Sequence, residues 1–110
     1  MPGTIVFLPT YNERENIQDM IARVRSLGQD HEVLVVDDDS PDGTADIVRE
    51  IQAADPGVHL LVRTGAVRGR GIAMIDGIRW ALQHSYDTFI EMDADGSHDP
   101  KYIPDMRNAL

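Results

Sequence analysis

The sequence contains no cysteine, which excludes disulfides, zinc–thiolate sites and thiol catalysis and fits a reducing compartment. Long apolar runs are absent as well. Ile5 to Leu8 and Val33 to Val36 fall far short of the roughly 20 residues that cross a bilayer. No secretory leader is expected, because Met1-Pro2-Gly3 leads directly into a strand pattern. Positive charge is scarce: 10 basic residues stand against 19 acidic ones, for a net charge of −9. Such a surface repels nucleic acid and anionic lipid, so no nucleic-acid partner is expected. Excess acid can instead bind cations, although most of these carboxylates read as ordinary solvated groups. A chain of 110 residues has the length for one domain with one core.

Short apolar runs alternate with helical-period segments along the whole chain. Thr4 to Leu8 reads as a buried strand, followed by a helix with Asn12 as N-cap and Ile17, Met20, Ile21 and Val24 on its inner face. Gly28 is placed to stop that helix. Glu32 to Val36 is a second strand. Ser40-Pro41-Asp42-Gly43 is turn chemistry, and Thr44 caps a second helix whose inner face is Ile47, Val48 and Ile51. Pro56-Gly57 breaks it before a third strand, Val58 to Val62. A loop with three glycines and three arginines, Arg63, Arg68 and Arg70, precedes a third helix with Ile72, Ile75, Ile78 and Leu82 predicted inward. Asp87 to Met92 reads as strand four, and Pro100 behind Asp99 opens a fourth helix towards Leu110. This alternation predicts an α/β fold: a parallel sheet of about four strands with helices on both faces.

Three polar clusters fall directly after predicted strands: Pro9 to Glu13, Asp37 to Gly43 and Asp93 to Asp99. In parallel sheets ligands gather at the carboxyl ends of the strands, so all three converge on one edge. Asp93 and Asp95, at i and i+2, can turn two carboxylates towards one hard cation such as Mg²⁺ or Mn²⁺, with Ser97 and His98 as further candidates. Capping and loop solvation are the plainer use of such acids. Asp37, Asp38 and Asp39 repel one another unless donors lie nearby. One acid is expected to accept bonds from a nucleobase edge or ribose, while the others build the turn. Proline at position 9 is expected to stop the first strand's ladder, and Tyr11 offers a stacking face. The arginine- and glycine-containing loop suits phosphate contact or a purely structural role. His31, His59 and His84 have no evident acidic or nucleophilic partner and read as surface or satisfied groups.

The blocks LPTYNERENI, VVDDDSPDGTADI and EMDADGSHDPKYIP together resemble the dolichol-phosphate (polyprenyl-phosphate) mannosyltransferases, a branch of the inverting family-2 glycosyltransferases with the GT-A fold. The resemblance covers essentially the whole chain. It implies a nucleotide pocket lined by Pro9, Tyr11 and Glu13, with Val36 and Asp38 contacting guanine and ribose. It also implies that Asp93 and Asp95 are the catalytic pair, holding Mg²⁺ or Mn²⁺ and the donor diphosphate. Ala94 would contact the donor through its backbone, and Ser97 would be an additional metal-side ligand. The loop departs from relatives in reading Gly69-Arg70-Gly71 where Gly-Leu-Gly is more usual.

The implied reaction is transfer of mannose, with inversion, from GDP-mannose to dolichyl or polyprenyl phosphate. That acceptor is a phosphate monoester, mostly dianionic at neutral pH, and can attack without a protein base. Members of the family continue well beyond this length. Residues 1–110 are therefore expected to form a single nucleotide-sugar-binding GT-A half-domain, with the acceptor-side half elsewhere. The resemblance places the full enzyme in the cytoplasm, peripheral to or associated with the cytosolic face of a membrane. Three alternatives remain: a non-catalytic nucleotide-sugar-binding module, a polyprenyl-phosphate glucosyltransferase, and, more remotely, an aspartate-nucleophile phosphatase. Phosphatases of that class carry their Asp-x-Asp on the first strand, whereas here it follows the fourth.

Overall fold

The computed structural model describes residues 3–26, 31–64, 70–84, 86–91 and 101–103. The two most apolar runs form the centre of the sheet. Ile5 to Leu8 in β1 (Gly3–Thr10) and Val33 to Val36 in β2 (His31–Asp37) are at most 1% exposed. Runs buried on both faces, without polar alternation, belong to the interior of a parallel sheet. β3 (Val58–Val62), β2, β1 and β4 (Tyr86–Glu91) are parallel neighbours in the order β3-β2-β1-β4-β5, and β5 (Lys101–Ile103) closes the far edge antiparallel to β4. The expected four-stranded parallel sheet is therefore present.

Side chains leave each strand alternately to two cores. Val6, Leu8, Val33 and Val35 pack with Ile17, Met20, Ile21 and Val24 of α1 (Ile17–Arg25) and Val48 of α2 (Thr44–Ala54). Ile5, Phe7, Leu34, Val36 and Phe89 face the opposite way, onto α3 (Arg70–Gln83). After building β1, β2 and β3 outward in one direction, the chain returns to place β4 on the other side of β1. That reversal opens a crevice at the carboxyl ends of the central strands. No helix among the described residues is long and apolar enough to cross a membrane.

Five local expectations are corrected. Residues 101–103 form β5 rather than part of a fourth helix. A helix begun at Pro100 would have to carry Pro104 in its second turn, and a residue before proline favours extended backbone. Ile103 instead pairs with Phe89, and Tyr102 with Ile90. Pro9 does not end β1 but pairs in register with Val36. The Thr10 carbonyl accepts the Asp38 amide from the β2 side, so the adjacent Pro9 backbone faces the other way, beyond the last β1–β4 register pair at Phe7 and Glu91. Its missing N–H interrupts no ladder there. The N-cap of α1 is Asn16 rather than Asn12, and that of α2 is Gly43, with Thr44 as the first helical residue.

The fifth correction concerns α3. Ala73, Ile78 and Ala81 are its buried side chains, whereas Ile72 and Ile75 are 43% and 52% exposed. A Cβ on Gly77 would stand 2.7 Å from a ring carbon of fully buried Phe7. The helix lies so close to the sheet that small residues at 73, 77 and 81 have displaced the isoleucine stripe from the interface.

At the amino edge of the sheet, beneath the end of α3, the Tyr86 hydroxyl donates to Glu32 Oε1 at 2.7 Å and His59 Nε2 lies 2.7 Å from the same oxygen. His59 thus has the acidic partner that its sequence neighbourhood did not reveal. The rings of Trp80 and His84 stack 4.0 Å apart beside it. Partial burial works against ionisation of Glu32, but the His59 and Tyr86 hydrogen bonds outweigh it and hold the carboxyl below its ordinary 4.5. A depressed carboxylate contributes stability above its unfolded value and loses it as pH falls through the folded one.

Tyr86→Phe is expected to lower unfolding stability by about 1 kcal/mol at neutral pH. The difference should narrow as the medium is acidified below the ordinary glutamate value, as read by urea denaturation across pH. Gly77→Ala should cost about 1–3 kcal/mol through overpacking on Phe7 despite alanine's better helix propensity, which thermal unfolding would register.

Candidate functional site

The carboxyl ends of β1 and β2 are tied together by one buried acid. Asp37 is 0% exposed, and its Oδ1 accepts both the Thr10 hydroxyl and the Ser40 hydroxyl at 2.6 Å. Its Oδ2 accepts the Ser40 amide at 2.8 Å. A buried carboxylate is tolerated only when its lone pairs are engaged in this way. Ser40 Oγ in turn accepts the Asn12 amide at 2.9 Å, so the loop after β2 orders the loop after β1.

A second acid repeats the pattern a turn later. Asp42 Oδ1 takes the Thr44 amide and hydroxyl, and its Oδ2 takes the Arg14 amide. What burial Asp42 has opposes ionisation, but the hydrogen bonds from Thr44 and Arg14 prevail and hold its carboxyl below the usual range. Thr44 Oγ1 accepts the Glu13 amide at 3.1 Å. Glu13 itself lies before the helix, where its carbonyl receives the amides of Asn16 and Ile17. Asn12 and Asp39, both at φ 57°, and Gly43 at φ 89° make the sharp reversals that this stitching requires. These are residue types that tolerate left-handed backbone.

With Asp37 and Asp42 absorbed in the turns, Asp38 is left at the surface of the crevice. A cleft of about 220 Å³ is lined by Pro9, Thr10, Tyr11, Glu13, Asp38 and Ala73. Four of the expected nucleotide-pocket residues, Pro9, Tyr11, Glu13 and Asp38, are thus brought together. Val36 is not in that wall: it is fully buried in the core under α3, with its methyl near Gly77. Thr10 and Ala73 were not singled out by the sequence reading. Thr10 lies inside the LPTYNERENI block, whereas nothing local marks Ala73.

Arg63, expected among loop residues suited to phosphate, has a different setting. Its Nη1 donates to Asp38 Oδ1 and its Nε donates to Asp76 Oδ2 at 2.7 Å, with the side chain 4% exposed. The Arg63 amide also donates to the Asp37 carbonyl at 2.8 Å. Asp76 on α3 carries no sequence signal that would have nominated it.

Asp93, Ala94, Asp95 and Ser97 lie outside the described residues, as does Arg68. The described residues that flank the acidic segment are informative. Glu91 ends β4 and Lys101 begins β5, and the two are register partners. Both attachment points of positions 92–100 therefore sit at the carboxyl end of β4, the strand adjoining β1. Among the described residues no group of three or more His, Asp or Glu is arranged to hold a metal ion.

The sequence profile of "Glycosyl transferase family 2" matches residues 5–110. An undecaprenyl-phosphate mannosyltransferase of Micrococcus luteus is 46% identical over 106 residues, covering 96% of this chain and 43% of that protein. A polyprenol monophosphomannose synthase of Mycolicibacterium smegmatis is 44% identical over 108 residues, 97% of this chain and 40% of that protein. The chain thus spans less than half the length of these curated relatives. Among solved structures, the mannosyltransferase PcManGT from Pyrobaculum calidifontis, in complex with GDP-Man and Mn²⁺, superposes with a TM-score of 0.69 at 30% identity, covering 86% of this chain and 28% of that one. Profile, crevice and superposition agree, and the chain belongs to glycosyl transferase family 2.

Proposed function

We propose that this chain is the donor-side half of an enzyme that transfers mannose from GDP-mannose to a polyprenyl (dolichyl-type) phosphate. The observation that carries the proposal is the cleft in which Asp38, Tyr11, Glu13 and Pro9 meet beside the reversal of the sheet. Relatives named for mannose transfer to polyprenyl phosphates supply the substrate class, and the superposed mannosyltransferase supplies the nucleotide sugar.

The chemistry follows from the groups present. Asp38 offers a carboxylate acceptor to the N–H edge of guanine or to ribose hydroxyls, and Tyr11, 36% exposed, offers a ring face beside it. At about 220 Å³ the cleft is below the roughly 300–1,000 Å³ of complete ligand pockets, which suits one part of a donor rather than all of it. The diphosphate would extend towards the end of β4. Asp93, Asp95 and Ser97, in the sequence that follows β4, carry the oxygen donors that Mg²⁺ or Mn²⁺ prefers and would hold such an ion. The chemistry such an ion would supply is neutralisation of charge on the departing nucleoside diphosphate. The acceptor phosphate needs no general base, so the task of this half is to bind, orient and hold the donor. The acceptor-side half belongs to the remainder of a longer protein, which works against a lipid substrate at a membrane surface.

Calorimetric titration should give GDP binding that strengthens on adding Mn²⁺ and weakens on chelation. Asp93→Asn with Asp95→Asn should abolish that metal dependence while leaving thermal unfolding unchanged. Equal GDP affinity with and without metal in the unmodified chain would sink the assignment. Asp38→Asn should weaken GDP binding by about 10- to 100-fold, the value of one hydrogen bond to a charged acceptor.

A further inference from the structure

The cleft accounts for Asp38 but not for what lies behind it. Arg63 is buried between two acids on different elements: Asp38 after β2 and Asp76 on α3. Side-chain exposure rises outward through the triad, from 4% at Arg63 to 11% at Asp38 and 36% at Asp76. Asp76 is not part of the cleft wall. It lies instead along a separate groove between β3 and α3, lined also by Leu61, Trp80 and Gln83.

From this arrangement we infer that Arg63 is a positioning residue for nucleotide recognition, holding Asp38 in place through a bridge anchored on Asp76 outside the cleft. The inference rests on the proposed role of Asp38 as the acid that reads the nucleotide. Three features of the geometry support it. First, Arg63 uses two different nitrogens, Nη1 for Asp38 and Nε for Asp76, so the planar guanidinium sets the spacing between the two carboxylates. A lysine ammonium lacks that fork. Second, the backbone is pinned at the same point, because the Arg63 amide donates to the carbonyl of Asp37, the residue before Asp38. Third, Oδ1 of Asp38 is the oxygen that Arg63 engages, while Oδ2 takes no hydrogen bond from a described residue. One oxygen is thereby committed to orientation and the other remains for a ligand N–H or hydroxyl. The cation also offsets the repulsion that Asp37, Asp38 and Asp39 would exert on an anionic diphosphate.

Removing one partner from a buried ion pair leaves the other charge uncompensated. Substitution at Asp76 should therefore reach the nucleotide through Arg63. In calorimetric titration with GDP and Mn²⁺, Asp76→Asn is expected to weaken binding about tenfold. In an Asp38→Asn background the same change should add little, since the carboxylate being positioned is gone. Arg63→Lys is expected to bind as poorly as Arg63→Met, and Asp76→Glu to recover most of the loss. Wild-type affinity in Arg63→Lys, or an equal Asp76→Asn penalty in both backgrounds, would overturn the inference, because either outcome reduces Arg63 to bulk charge or general stability.

A readout without nucleotide separates this inference from the functional assignment. The carboxyl ¹³C resonance of Asp38 and the Nε–H resonance of Arg63 should both shift on Asp76→Asn, with Nε–H protected from exchange in the unmodified chain. If those resonances respond but GDP does not bind the unmodified chain, the functional reading fails and the bridge stands. If neither resonance moves, the bridge fails whatever GDP does.

Discussion

The buried carboxylate of Asp37 is the constraint on which the rest of the crevice depends. A charge removed from water at the end of β2 is stable only with its oxygens engaged, and here the donors come from β1 through Thr10 and from the next turn through Ser40. Meeting that demand fixes the distance between the ends of the two central strands. It also presents the Ser40 hydroxyl to the Asn12 amide. The loop bearing Tyr11 and Glu13 is held by the same contacts that position Asp38 one residue beyond Asp37. Adjacent acids are therefore divided between two tasks, Asp37 consumed by the turn and Asp38 lining the cleft with one oxygen held by Arg63.

Much of this was legible beforehand. Apolar runs such as Val33 to Val36 name their strands because both faces must be covered, and alternation of strand and helix then leaves a parallel sheet as the arrangement that buries them. Convergence of Pro9, Tyr11, Glu13 and Asp38 follows from the same logic, since each lies at or just after a strand's carboxyl end. Contacts between residues far apart in the chain were not legible. Arg63 meets Asp76 and Asp38 because α3 folds back over β1 and β2, and an arginine among glycines reads equally well as a phosphate ligand. Glu32 and His59 likewise meet only through β2–β3 pairing.

Three departures from local expectation have physical causes. Isoleucines at 72 and 75 have helical spacing and high hydrophobicity, yet a face built from Ala73, Gly77 and Ala81 permits closer packing, and proximity prevailed over side-chain size. Tyr102 and Ile103 carry a helix signal because Pro100 makes a good first helical residue. An unpaired β4 edge and a second proline at 104 weigh the other way. Proline ends a strand only where the ladder needs its N–H, and at Pro9 the neighbouring strand on that side has already ended.

The close seating of α3 extends past the core, because Ala73, one turn before Gly77, forms part of the cleft wall. Ala73 thus bounds the opening, while Gly77 sets how near the helix that carries it can stand to Phe7. A methyl added at Gly77 would press on Phe7 and force the helix, with its cleft-wall residue, away from the sheet. Cleft width is in this way tied to packing in the hydrophobic interior as well as to the polar groups of the wall.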